Sequence, residues 1–292
     1  MRKISLYAAA AALGCIATGC VDECDVMQAG KTDMIVIDAM VTDHAERQTV
    51  YIRKSSDTYF LNGHYGEEPD PIKDVTVNIK DDAGWEGWFE DEEGNGRKFC
   101  LSGHKFEPGR TYTITVNVGD RTFTSTERMV PSPKINGLKF FRHDTKDDHL
   151  WSPILYFEDN QPDEINYYLF SDGLSRNWYI MHYLYAMRLS DEGLRENLDG
   201  VQISLGMGAS PSETSGVSFG SRFYYELWTI SKRNYDFYGA VEAHLTSDGG
   251  VYSPTPTTPV TNFSGRNVQG QFIAASCTVF NGTMTPDYVT FR

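Results

Sequence analysis

Three cysteines fall close together near the N-terminus, Cys15, Cys20 and Cys24, with Asp22, Glu23 and Asp25 around the last two. Thiols and carboxylates packed this densely are the usual raw material of metal or redox chemistry. The residues upstream point to a different chemistry. Arg2 and Lys3 precede an apolar run from Ile4 to Ile16, which is short of the about 20 residues that a spanning helix needs and carries the flanks of a secretory signal. Ala17-Thr18-Gly19 are small, and Cys20 follows directly. This is the pattern of a lipobox, in which the cysteine is diacylated, for instance with palmitate, and becomes the first residue of the mature chain. Cys20 is therefore the expected lipidation site, and a lipid there makes the membrane a partner through the N-terminus.

Three further clusters are weighed for chemistry. Gly216-Val217-Ser218-Phe219-Gly220 matches the G-x-S-x-G pattern of a nucleophile elbow, but that chemistry needs a sharp turn from strand to helix. Here the segment leaves a Ser/Pro/Gly loop and leads toward a strand-like run, so no catalytic residue is assigned. His143, Asp144, Asp147, Asp148 and His149 gather metal-ligand types without a known ligand spacing, and a solvated loop is the reading preferred. Glu90 to Gly96 lacks the register of a calcium loop and lies between Trp88-Phe89 and Arg97-Lys98-Phe99, which predicts an acidic hairpin tip. No metal and no cofactor is expected. The remaining cysteines, Cys24, Cys100 and Cys277, are too few and too scattered for a disulfide framework, and are read as buried or joined by a single bridge.

Composition sets the limits. A formal charge of −14 and no concentrated basic face exclude nucleic acid as a partner. Aromatic residues make up 13% and hydrophobic residues 40% of the chain, enough for a core, and about 270 mature residues suggest two domains.

The elements that must carry any site are mostly strands. Val75, Val77 and Ile79 alternate with Thr76, Asn78 and Lys80, and Tyr112, Ile114, Val116 and Val118 alternate with Thr113, Thr115 and Asn117. Alternation of this kind buries one face of a strand and wets the other. Met34 to Val41 and Val50 to Ile52 add strand-like runs, with turn residues at Asp81-Asp82-Ala83-Gly84, Glu93-Gly94-Asn95-Gly96 and Gly119-Asp120. The fold expected is mainly β: an immunoglobulin-like β-sandwich over 31–134, then a β-rich C-terminal domain over 135–292 with one or two short helices, the joint lying at Pro131-Ser132-Pro133. Residues 1–19 are the lipoprotein signal peptide and 20–30 an acidic tether. In the second domain Leu138 to Phe141, Ile154 to Phe157, Tyr167 to Phe170 and Phe223 to Ile230 read as strands. Ser190 to Glu196 reads as a short capped helix, and Ser231 as the N-cap of a helix running from Lys232 to Leu245. Trp178, Tyr179, Tyr183, Tyr185, Tyr224 and Trp228, with Tyr225 beside them, exceed what alternation buries and form the candidate ligand or partner surface. A share of the core is the competing reading.

The order of several segments resembles one family. Ile35 to Asp43, Ile72 to Ile79, Phe106 to Ile114, Ile230 to Tyr238, Tyr252-Ser253-Pro254 and Asn262 to Phe272 look like the successive signatures of the DUF4249 family of Bacteroidetes outer-membrane lipoproteins. Ser215 to Phe219 departs from the family's Asp-Gly turn. The resemblance implies an outer-membrane lipoprotein without an assigned catalytic residue, often found beside TonB-dependent transporters. Asp22, Glu23 and Asp25 then look like the acidic export signal that follows the lipid cysteine in surface lipoproteins of that group. The expectation is a non-catalytic binding or accessory subunit at the cell surface, working with a TonB-dependent transporter. The alternatives are a surface hydrolase with a site assembled from distant residues, for which a cleft gathering carboxylates or His182 and His244 would speak, and a structural or adhesive surface protein.

Overall fold

Tyr112, Ile114 and Val116 are fully buried, while Thr113, Thr115 and Asn117 between them face outward. That one strand shows how most of the fold is built. The computed structural model describes residues 34–54, 71–133, 135–142, 151–157, 164–171, 187–192, 201–204, 218–246 and 258–288. They belong to one unit, Asp33–Lys54 with Glu68–Arg292.

The strands in chain order are β1 (Ile35–Thr42), β2 (Arg47–Lys54), β3 (Val75–Asp81), β4 (Glu86–Asp91), β5 (Lys98–Ser102), β6 (Thr111–Val118) and β7 (Arg121–Arg128). They continue with β8 (Ile135–Arg142), β9 (Trp151–Phe157), β10 (Tyr167–Ser171), β11 (Met187–Ser190), β12 (Val201–Ser204), β13 (Arg222–Ile230) and β14 (Val268–Thr283). One helix, α1 (Lys232–Thr246), precedes β14 among the described residues. Eleven strands form one sheet in the order β11-β10-β13-β14-β1-β2-β5-β4-β3-β6-β7, and β12-β9-β8 form a second. The chain is mainly β, as the alternation predicts.

The joint between two domains is where the structure departs from expectation. β14 is a single strand of 16 residues. Its first half runs parallel to β1, Ile35 opposite Val268 through Thr42 opposite Ala275. Its second half runs antiparallel to β13, Thr229 opposite Ser276 through Arg222 opposite Thr283. Residues near the C-terminus thus complete the sheet that residues 35–128 begin, and the boundary at Pro131-Ser132-Pro133 is spanned by hydrogen bonding. The sheet also curls back on itself, since Thr124 of β7 bridges to Ser264 and Val130 bridges to Ala275. Ser132 sits inside this closure: its Oγ donates to the carbonyl oxygens of Leu227 (3.0 Å) and Ser276 (3.2 Å).

Three cores result. The first lies within the curled sheet and takes Ile37, Val50, Ile79, Ile114, Phe123 and Phe272 among others. Because β14 contributes Phe272 and Ala274 to it, the N-terminal strands do not close their core alone. The second lies between the small sheet and one face of β10 and β13, joining Phe140, Leu155, Phe170, Phe223, Tyr225 and Leu227. The third lies under α1, where Tyr238 meets Met40, Leu169, Trp228, Ile230 and Ile273. Odd positions of β13 serve the second core and even positions the third, the period-2 geometry of a strand buried on both sides.

Helix α1 begins where predicted. Ser231 Oγ accepts from the Asn234 backbone N–H at 3.3 Å, and Ser231 O accepts the first intrahelical bond from Tyr235 N at 3.0 Å. That is an N-cap satisfying one of the free donors of the first turn. The helix predicted at Ser190 to Glu196 lies largely outside the described residues; in its described part Ser190 ends β11, and Ser190 Oγ accepts from Glu192 N at 3.0 Å. Among the described residues no helix is long and apolar enough to cross a membrane.

Candidate functional site

The predicted aromatic surface is divided by the structure. Trp178, Tyr179, Tyr183 and Tyr185 lie outside the described residues, as do Cys20, Asp22, Glu23, Asp25, the histidine and aspartate cluster at 143–149, and Gly216 and Val217. Tyr224 and Trp228 share the even-numbered face of β13 but have different surroundings. Trp228 is fully buried beneath α1, so it is withdrawn from the candidate surface. Alternation predicts which face of a strand it occupies, and the helix laid across that face is what buries it. Its indole Nε1 donates to Glu226 Oε2 at 3.2 Å, and Glu226 is itself fully buried. Tyr225, on the odd face, stacks on Phe170 and Phe223 within the second core. Of the described candidates, Tyr224 is the one that is partly exposed, and its hydroxyl lies 3.1 Å from His44 Nε2.

The turn after β1 brings a group of titratable residues to this place. Asp43 Oδ1 accepts from the Cys277 backbone N–H at 2.9 Å, and its Oδ2 accepts from Ser276 Oγ at 2.7 Å. The side chain of Thr42 holds the turn by accepting from His44 N at 3.2 Å. Trp228 lies opposite Cys277 on the neighbouring strand. Burial pushes the Cys277 thiol strongly up, and the carboxylates of Glu226 and Asp43 push it the same way. A thiolate nucleophile needs a neighbouring cation or a polarising helix end, and Cys277 has two carboxylates instead. Cys100 and Cys277 are both free thiols, so no bridge joins them. Asp43, His44 and Glu226 are the residues that sequence reading missed, while Cys277 is read there only as a buried or bridged cysteine. Only Asp43 carried a signal, as the last residue of the opening signature.

The acidic segment is a hairpin tip, as read. Glu90 opposes Cys100 and Asp91 opposes Phe99. Three of its carboxylates, those of Asp91, Glu92 and Glu93, are engaged by neighbouring groups. Asp91 accepts backbone N–H groups of Glu93, Gly94 and Gly96 at 3.3, 2.9 and 2.7 Å. Glu92 pairs with Arg47 and with Lys98, and hydrogen bonds from Lys98 and Arg47 hold its carboxyl down to about 2. Glu93 Oε2 accepts from Asn95 Nδ2 at 2.9 Å. Among the described residues no group of three or more metal-ligand side chains converges. Ser218 lies in a turn that enters β13, with Ser221 N donating to Ser218 O at 3.1 Å. A strand, and not the helix of a nucleophile elbow, follows it.

A second polar cluster explains the signature residues of the last third. Arg233 Nη2 donates to Glu127 Oε1 at 2.8 Å and to Thr126 O at 3.2 Å. Asn262 spans the gap to β14, accepting from Phe272 N at 2.8 Å and donating to Phe272 O at 2.7 Å. Gln271 Oε1 accepts from Asn262 N at 3.0 Å, and Gln271 Nε2 donates to Arg233 O at 3.4 Å. Glu127, Asn262 and Gln271 are all buried. The cluster ties α1, β7 and β14 together and is structural.

The model of a family described as a domain of unknown function, DUF4249, matches residues 22–280. The chain belongs to that family. The matched span of this DUF4249 chain includes every described strand except the last residues of β14. No curated protein matches it. Among solved structures, a two-domain fibronectin type III segment of chicken tenascin is 13% identical, covering 64% of this chain and 83% of that chain with a TM-score of 0.18. The chicken interferon gamma receptor alpha chain is 13% identical, covering 68% and 89%, also with a TM-score of 0.18. At that TM-score neither likeness bears on the fold.

Proposed function

We propose that this DUF4249 protein is a surface-exposed outer-membrane lipoprotein, a non-catalytic binding or accessory subunit that works with a TonB-dependent transporter. The observation that carries the reading is the lipobox: two cations, a short apolar run, Ala17-Thr18-Gly19 and then Cys20. Diacylated Cys20 anchors the chain, since several acyl chains hold a protein far more firmly than one at ~0.8 kcal/mol per buried methylene. Asp22, Glu23 and Asp25 direct it to the outer face. The curled sheet of β1 to β7 with the first half of β14 is read as an immunoglobulin-like sandwich that follows the anchor in sequence. Tyr224 and His44 mark the side from which a partner is met, an amphipathic pair of the kind that suits an interface. The raised Cys277 thiol and the engaged carboxylates of Asp91 and Glu92 at the hairpin tip are in keeping with binding and not chemistry.

The test is purification of the tagged, lipidated protein from native outer membrane in mild detergent, with co-purifying proteins identified by mass spectrometry. A stoichiometric TonB-dependent transporter is expected. A protein that emerges alone sinks the accessory reading, and palmitate still incorporated into Cys20→Ser sinks the anchor.

A further inference from the structure

Trp88 is 58% exposed although it lies in the middle of a strand. Cross-strand register sets it at the head of a row of polar residues on the outer face of the curled sheet. Trp88 opposes Asn78, Asn78 opposes Thr115, and Thr115 opposes Thr124. Thr124 in turn bridges to Ser264, with the two hydroxyl oxygens 2.6 Å apart. Four steps at about 4.8 Å between strands make this row roughly 19 Å long, running straight across the strands.

The rows on either side repeat the chemistry. On one side Thr76, Asn117 and Thr122 follow one another, with Asn117 Nδ2 donating to Thr76 Oγ1 at 3.0 Å and Thr122 Oγ1 donating to Asn117 Oδ1 at 2.8 Å. On the other, Thr113 and Thr126 lie with hydroxyls 2.9 Å apart. These mutual bonds hold the side chains in place, and each hydroxyl or amide keeps donor or acceptor capacity toward solvent. A lattice ordered before binding loses less side-chain entropy when a ligand arrives.

Charge selects the occupant. The chain carries −14, yet the row from Trp88 to Ser264 and the Thr76 row contain no ionisable side chain. Where charge does enter the next row, Glu86 stands opposite Lys80 in register, its carboxylate accepting from Asn78 Nδ2, and Glu90 lies on the other side of Trp88 along β4, so the acidic groups beside the platform repel a polyanion. A polyanion finds no cationic groove here, which strand-like stacking on nucleic acid would require. A protein hot spot surrounds its aromatic anchor with an apolar pocket, and Trp88 is bordered by Asn78 and the Glu86 carboxylate that Asn78 bonds at 2.5 Å. An uncharged chain rich in hydroxyls matches on every count: the C–H face of a sugar ring lies against the electron-rich face of the indole, and its hydroxyls exchange hydrogen bonds along the row.

We propose that the outer face of β4, β3, β6 and β7 binds an uncharged glycan chain, with Trp88 as its stacking platform and Asn78, Thr115 and Thr124 as its hydrogen-bonding track. This goes beyond the transporter reading and stands whether or not a transporter co-purifies. The test is isothermal titration of the full chain in detergent with cellohexaose, mannohexaose and maltohexaose, with heparin as the charged counter-probe. At least one neutral hexasaccharide is expected to bind, with Trp88→Ala weakening it by about tenfold and Trp88→Tyr retaining most of it. Thermal melts of both variants should match the parent, because the side chain is exposed. Thr124→Val provides a second variant, expected to weaken binding with the platform intact. Absence of binding to all three hexasaccharides, heparin binding more tightly than any of them, or affinity unchanged in both Trp88→Ala and Thr124→Val overturns the proposal.

Discussion

Arg233 of α1 and Glu127 of β7 meet at 2.8 Å, across a sequence separation of 106 residues. The Glu127 carboxylate is buried while the guanidinium is largely exposed. The same oxygen, Glu127 Oε1, also accepts from Asn262 Nδ2 at 3.0 Å. One carboxylate therefore fastens a helix, an edge strand and the segment entering β14.

Replacing Glu127 with alanine leaves the Asn262 amide and the Arg233 fork short of an acceptor. The expected loss is about 2 to 3 kcal/mol of unfolding free energy, larger than for Arg233→Ala, whose side chain is solvated. Urea titration of the two variants against the parent measures the difference, and equal losses would refute the central place given to Glu127.

Gly270 has φ near +103°, and a Cβ there would collide with the backbone carbonyl of Ile37 on β1. Both the dihedral and the close approach demand glycine. Gly270→Ala is expected to cost more than about 2 kcal/mol, whereas Gly94→Ala, at a tip where a Cβ meets nothing, should cost less. Thermal melts of the pair give the comparison.

Asp38 is buried beside Arg53 at 2.9 Å, and burial raises its carboxyl to about 6 in spite of that partner. Between the unfolded value near 4 and about 6 the folded state binds the extra proton, so this group makes stability fall as pH rises through that window and adds nothing further above it. The swing is at most roughly 3 kcal/mol. Asp38→Asn should flatten the profile from pH 4 to 6. A parent and variant whose unfolding free energies run parallel across that range would show that Asp38 titrates normally. Glu92 acts in the opposite sense: with its folded value near 2, its stabilisation is present above the ordinary carboxylate range and is lost as pH falls toward 2.

Tyr224→Phe removes the hydroxyl that faces His44, at an exposed contact. Stability should change by no more than about 0.5 kcal/mol. If this pair forms the partner surface proposed above, co-purification of a transporter drops for Tyr224→Phe and for His44→Ala. Undiminished recovery with both variants would move the partner surface elsewhere.

Local order was legible in the sequence. Alternation at Val75 to Ile79 and Tyr112 to Val118 gave β3 and β6 with the correct faces, because a strand's side-chain period is set by backbone geometry alone. Ser231 before an apolar helical stripe gave the start of α1, since capping involves residues within one turn. The acidic hairpin tip was read from turn residues between two aromatic runs for the same reason. Partnership was not legible. Nothing in residues 268–283 states that one half pairs with β1 and the other with β13, because periodicity marks which side of a strand faces inward and not which strand lies beside it. The burial of Trp228, the meeting of Asp43 with Cys277 and the alignment of Trp88 with Asn78, Thr115 and Thr124 all follow from register between segments distant in sequence. Sequence determined the elements, the run of small residues that ends at Cys20 and the family; only the tertiary pairing decided which of their side chains stand together.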